Sequence, residues 1–459
     1  MARRIATERK AKWTKRDQPS INIETTPRFV DFGPIAEVRK RIACSFCVLI
    51  NHLLPSDFLL PFEANVVIGL ASLPTDANSL EVLILESDGR DGADVCAMVG
   101  LRQRIPVGHI EVKWAEPVVP NPEKTLARSL PPMLNFKRIK ELLSQCESCH
   151  EQTLGGRLND SGEPPLKILL LDTQRGCLVK ATTKYRYLAL SYVRGKDPFF
   201  HTTTANLLEL QKPGGIFRIR SQLPQTLLDA IILTREIGER YLWIDALCIP
   251  QDNPSLHHRP SQTGTIFGHS HLTIIAWTAA SAHSSLAGVR PCTLRPPHLS
   301  KHFPFSTNAN RPSPPLLHLR TAPFHADYMR THHRLSRHTT RAWTYQERLL
   351  SPRRLYLSYH DAFFVCAASP ASCSAHPFPI GVNTSTILLD DGELALPHPA
   401  SLVSSSVVPA APPSPGPHSL LATLIADFAP TTTTRPADRL AAFAGVQALL
   451  RPRFGGDDA

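Results

Sequence analysis

Apolar residues fill both alternating sets of positions along 241–249. Tyr241, Trp243, Leu247 and Ile249 share one face, and Leu242, Ile244, Ala246 and Cys248 share the other. This predicts a strand buried on both sides. Just upstream, "LPQTLLDAIILTREIG" places Leu227, Ile231 and Thr234, with Leu228 and Ile232, on one helical face. Pro224 suits a first turn and Gly238 a C-terminal stop. A helix feeding a doubly buried strand is half of a βαβ unit, which predicts a parallel sheet covered by helices.

Further strands are predicted at "LKILLLDT" and "GCLVKAT", joined by a short turn, and at "YLALSYV", "HLTIIAWTA", "RRLYLSY" and "AFFVCAA". "RAWTYQERLLSP" reads as a short helix, with Trp343 and Glu347 on one face and Arg341 just before it. Nearer the start, "EVRKRIACSFCVLINHLL" and "FKRIKELLSQCESC" read as helices, and "NVVIGLASL" and "LEVLILES" as strands. Residues 290–338, rich in Pro, His and Arg, show no period and read as a long loop. The division is a basic mobile lead at 1–33, a small α+β region at 34–130 and a main α/β region at 131–380. A disordered Ser/Pro/Ala-rich linker at 381–420 and a helical segment at 421–459 complete it.

Asp245 interrupts the buried pattern at 241–249. A carboxylate stripped of water is costly unless something pairs with it. Two readings stand side by side. Backbone groups or Arg341 satisfy Asp245 and fix how segments dock, or the carboxylate serves a ligand or a reaction. Ligands in open parallel sheets collect beyond the carboxyl ends of the strands, so Asp245, Gln251 and the end of "YLALSYVRGKD" are candidates for one crevice.

Composition narrows the classes. The chain has 459 residues, 42% hydrophobic and 19% charged, which suits a globular protein of two or three domains; its 42 prolines predict much loop. The formal charge of +11 is scattered. With no basic helix interleaved with aromatics, no specific nucleic-acid partner is expected. No apolar region follows the basic start, and no apolar run is long enough to span a membrane. The ten cysteines read as reduced thiols. A cytoplasmic protein is the expectation.

The pairs Cys44/Cys47 and Cys146/Cys149 have the C-x-x-C spacing, but roughly a hundred residues separate them, far more than in compact zinc modules. Structural thiols are the preferred reading, and no metal is expected. His332, His333 and His338 lie among arginines, which disfavour a cation. Phosphate-loop, dinucleotide-fingerprint, nucleophile-elbow and H-E-x-x-H signatures are absent.

Three blocks remain: "YLALSYVRG", the unit from "LPQTLLDAI" to "YLWIDALCIPQ", and "RAWTYQERLLSPR". In this order they resemble the heterokaryon incompatibility (HET) domain of filamentous fungi, closely over 185–355. Arg194 stands where the family pattern has tryptophan before Gly195. The resemblance implies an effector of nonself recognition that triggers growth arrest or programmed cell death through self-association or partner proteins. It also implies a mostly parallel, flavodoxin-like sheet with helices on both faces, through a distant similarity to Toll/interleukin-1-receptor-like (TIR) domains. Some of those cleave NAD, so NAD is a possible substrate and no resident cofactor is expected. For that chemistry Glu347 and Asp245 are the candidate catalytic carboxylates, with Trp343 or Tyr192 stacking on a ring. Tyr192, Gly195, Asp229, Trp243, Cys248, Gln251, Arg341, Trp343 and Gln346 are the motif positions expected to hold structure or ligand. A degenerate, inactive copy is the third reading.

Overall fold

The computed structural model describes residues 29–53, 65–70, 79–85, 104–115, 133–150, 164–252, 260–293, 300–304, 316–321, 336–358, 362–366, 417–433 and 435–450. Most of the basic lead and of the 381–420 stretch lies outside these residues. Among them, no helix is long and apolar enough to cross a membrane.

The chain opens with β1 (Phe29–Pro34), α1 (Ile35–Lys40) and α2 (Ser45–Leu53), followed by β2 (Asn65–Leu70), β3 (Ser79–Leu85) and β4 (Arg104–Ala115). The single helix predicted over 37–54 is two, broken at a turn where Cys44 N–H donates to the Arg41 carbonyl. After α3 (Phe136–His150) come β5 (Lys167–Asp172), β6 (Cys177–Thr182) and β7 (Leu188–Ser191). Next are α4 (Leu207–Gln211), α5 (Gly215–Arg218), α6 (Gln225–Glu236), β8 (Tyr241–Trp243), α7 (Asp245–Cys248), α8 (Pro260–Gly268) and β9 (Leu272–Ala276). β10 (Ser300–Pro304), β11 (Leu316–Thr321), α9 (Ala342–Leu350), β12 (Arg353–Leu357) and β13 (Ala362–Cys366) lead to α10 (Pro417–Phe428), α11 (Asp438–Ala441) and α12 (Ala444–Leu450).

Two sheets form. The first is antiparallel throughout, in the order β1-β2-β3-β4-β11-β10. Its last two strands come from the segment read as aperiodic loop. Their local pattern is poor; β11 becomes a strand by pairing with β4, far away in the chain. Tertiary pairing overrides weak local preference here.

The second sheet has the order β13-β12-β9-β7-β8-β5-β6. β12, β9, β7 and β8 run parallel. β13 pairs antiparallel with β12, β5 antiparallel with β8, and β6 antiparallel with β5. The sheet is therefore mixed rather than mostly parallel. The cause is visible in the chain: the connections β5–β6 and β12–β13 have too few residues for a crossover, which permits only antiparallel pairing. Every residue of β7, β9 and β12 is buried, as doubly covered strands require. Leu272, Ile274, Leu355 and Leu357 join the main core on one side. Ile275, Trp277, Tyr356 and Phe363 form a smaller cluster on the other.

The predicted strand at 241–249 ends at Trp243. Beyond it Leu247 and Cys248 N–H both donate to the Ile244 carbonyl, curling 245–248 into one helical turn. Thr202 clamps that turn, its N–H on the Ala246 carbonyl and its hydroxyl on that of Leu247. A short run that is apolar on all sides fits a buried strand or a buried helical turn equally well.

Candidate functional site

The carboxyl ends of β7 and β8 lie side by side because the two strands are parallel neighbours. β7 ends at Ser191 and hands over to Tyr192; β8 ends at Trp243, just before Ile244 and Asp245. α9 packs against β7 and brings Glu347 to the same place. Ser191 Oγ donates to Glu347 Oε2 at 2.5 Å, and His338 Nε2 lies 2.7 Å from the same Oγ. Ser191 and His338 are both wholly buried. Tyr192 is buried with its hydroxyl beside the Asp245 carboxylate. Among the described residues, Asp245 Oδ1 and the Tyr192 hydroxyl are buried without hydrogen-bond geometry to any partner.

Burial pushes the Glu347 carboxyl up to about 7. The Asp245 charge adds to that rise, while the Ser191 hydrogen bond and Arg341 oppose it. Burial, then Asp245, drives the Tyr192 hydroxyl well above its ordinary range, so it stays a phenol. Burial, with Arg348 and Arg341 nearby, holds His338 far below its usual value and therefore neutral. Near neutral pH the cluster holds a neutral imidazole and a carboxyl poised to gain or lose a proton beside the Asp245 carboxylate.

This is not an acyl-transfer triad. Such a triad needs the imidazole between serine and carboxylate. Here serine is in the middle, fully buried, with its one proton committed to Glu347. The group with acid–base capacity is Glu347, half-buried at the edge of the cluster.

Residues 187–347 match the family described as "Heterokaryon incompatibility protein (HET)". This chain carries a HET domain. No curated protein and no solved structure matches the chain. The match runs from Tyr187 at the head of β7 to Glu347 on α9, so the HET domain contains the entire cluster and is tied by it to heterokaryon incompatibility.

The remaining motif residues of the HET domain divide by location. Asp245 opens α7 rather than sitting mid-strand, and its neighbour is Tyr192, with no ion pair to Arg341 among the described residues. Arg341 instead precedes α9, bridges to Thr432 and acts on Glu347 through space. Gln251 ties two blocks together: its Nε2 donates to the Asp245 and Ile249 carbonyls at 3.2 and 2.9 Å, and its Oε1 accepts from Arg194 at 3.1 Å. The Arg194 guanidinium also lies over the Phe199 ring, 5.2 Å from its centroid. Arginine at this position thus makes one hydrogen bond and one cation–π contact. Gly195 has φ +85°, and a Cβ there would meet Ser281 Cβ at 2.6 Å, so close approach and backbone both require glycine.

Other motif positions hold the frame. Asp229, wholly buried on α6, ion-pairs with Arg290 at 2.6 Å and accepts from Leu286 N–H and Gln225, pinning the 281–290 loop. Trp243 packs edge-on against Phe267 in the core. The Cys248 thiol, pushed up to about 12 by burial, caps Ile244 N–H and is inert. Gln346 is buried, with Oε1 accepting from Gly445 N–H at 3.1 Å. Trp343 is partly buried and packs against the cluster that α9 forms with the C-terminal helices. Spacing puts it on the Glu347 face; its contact with the C-terminal segment comes from far along the chain.

Ser191 and His338 were missed. In the sequence Ser191 is a polar residue ending an apolar strand within the first family block, and His338 stands only among arginines and other histidines. The Cys146 sulfur accepts from Arg353 Nε at 3.2 Å, and the Cys44 sulfur from Cys47 N–H at 3.4 Å. Among the described residues, no three His, Cys, Asp or Glu side chains are grouped to hold a metal ion. A groove of about 540 Å³ beside β5, β6 and α4 is lined by Ile168, Leu169, Ala181, Tyr185 and Leu207, with Lys167 and Lys180. It lacks the acid–base pair.

Proposed function

We propose that this HET domain is an effector of fungal nonself recognition, acting in the cytoplasm to trigger growth arrest or programmed cell death by self-association or partner binding. The observation behind this reading is the family match over 187–347. The three blocks that carry it pack together around Ser191, Asp245 and Glu347. Induced expression in a filamentous fungus is expected to arrest growth. Normal growth despite accumulation of folded protein counts against the reading.

A specific observation favours a second reading of how it acts, cleavage of the nicotinamide–ribose bond of NAD. A carboxyl raised to about 7 stands beside a second carboxylate at the carboxyl ends of parallel strands. Taking β7, β8, β9 and β12 as first to fourth, the parallel core reads 2-1-3-4, the start of the flavodoxin-like order, which supports the TIR-like expectation. Such chemistry needs a carboxylate to stabilise an oxocarbenium-like centre. Nicotinamide release from NAD is expected with the wild-type protein and is expected to fall at least a hundredfold, on the order of general acid–base effects, in Glu347→Gln and Asp245→Asn. If the wild type releases none while growth arrest survives both substitutions, the effector works through contacts alone.

A further inference from the structure

The buried chain His338–Ser191–Glu347 has a direction that its surroundings decide. His338 is neutral, so one ring nitrogen carries a proton and the other does not. Its Nδ1 is buried without a partner among the described residues, while Nε2 sits 2.7 Å from Ser191 Oγ. An orphaned buried N–H is rarer than an under-used acceptor. The proton therefore belongs on Nε2, which must donate to Ser191 Oγ. With that acceptor position occupied, the serine hydroxyl points its only hydrogen at Glu347 Oε2, 2.5 Å away.

We propose that His338 is a positioning residue that acts through Ser191 to fix Glu347 Oε2 as an acceptor in the cluster shared with Asp245 and Tyr192. The assignment rests on Glu347 being the working group of that cluster, but not on what the cluster binds. The charged and titratable groups facing Glu347 are Asp245, Tyr192 and Arg341; Arg341 and Arg348 face His338. None of the arginines hydrogen-bonds Glu347, so the serine is its direct donor among the described residues. Hydrogen bonds in series strengthen one another, and a donor aimed at a charged acceptor favours the ionised form. Removing either member of the series should make Glu347 hold its proton to higher pH.

The test needs no substrate. Glu347 titration is followed as the carboxyl infrared band that is lost in Glu347→Gln. Ser191→Ala is expected to raise the midpoint by on the order of one pH unit. His338→Asn, too short to reach the serine, should raise it less, and His338→Gln, whose amide nitrogen stands where Nε2 does, should restore the wild-type value. Adding His338→Asn to Ser191→Ala should change nothing further, because His338 acts only through the serine. Additive shifts would refute the proposal. A nitrogen NMR spectrum of the wild type gives a second check free of folding effects: a protonated Nε2 and bare Nδ1 on His338 are expected, and the reverse tautomer overturns the assignment. Failure to cleave NAD would leave these results untouched, whereas a wrong proton direction would leave the NAD reading standing without this positioning chain.

Discussion

At the scale of single residues, Glu347 makes a linked statement about chemistry and stability. Its carboxyl has an ordinary value of 4.5 and sits at about 7 in the folded chain. Below pH 4.5 both states are protonated and burial carries no ionisation penalty. As pH rises from 4.5 to about 7, the unfolded chain releases a proton that the folded chain keeps, so stability falls, by on the order of 3 kcal/mol across the window. His338 acts oppositely: it stays neutral when folded, so stability falls as pH drops below 6.5. Urea unfolding of wild type and Glu347→Gln across this range separates the two. Glu347→Gln should lose the decline with rising pH and keep the acid-side decline. Parallel curves would mean that Glu347 is not perturbed. The sequence marked Asp245 as a carboxylate in an apolar pattern and Glu347 as part of the third family block. It could not mark His338, whose meaning comes wholly from Ser191, 147 positions away.

At the scale of elements, α9 decides whether the site exists, and two glycines set its seat. A Cβ on Gly264 of α8 would meet Gly445 Cα at 2.8 Å, and one on Gly445 would meet Gln346 Oε1 at 2.7 Å. α8 and α12 therefore touch backbone to backbone, beside the Gln346 side chain of α9. Gly264→Ala must push α12 away and strain the Gly445–Gln346 hydrogen bond, costing about 1–3 kcal/mol as overpacking does. A urea midpoint equal to wild type would show that the crossing is looser than drawn. The amphipathic helices α3 and α6 were legible because their apolar spacing is long and regular. The end of β8 was not, because pattern cannot tell a buried strand from a buried turn over so few residues. β10 and β11 were not, because their order comes from a partner strand.

At the scale of the whole molecule, the C-terminal helices complete the HET domain from outside its matched range. Leu424, Phe428, Ala442 and Val446 cover Ala342, Tyr345, Leu349 and Leu350 of α9. The Tyr345 hydroxyl donates to the Leu424 carbonyl at 3.1 Å. Deleting 417–459 uncovers that cluster, and each large side chain exposed loses roughly 1.5–3 kcal/mol. The shortened chain should bind a hydrophobic dye and lose the high Glu347 titration as α9 loosens. Retention of both the cooperative transition and that titration would show that α9 docks without its cover. By itself, the sequence determined which family the segment 187–347 matches, where the main helices and inner strands fall, and that Asp245 stands in an apolar pattern. Those features are written in local spacing and in motif residues that keep their order along the chain. Tertiary structure alone decided that the sheet is mixed, that Trp343 meets the C-terminal cluster, and that a serine joins a distant histidine to Glu347. Each of these depends on which surfaces meet in space, and no local pattern encodes the partner.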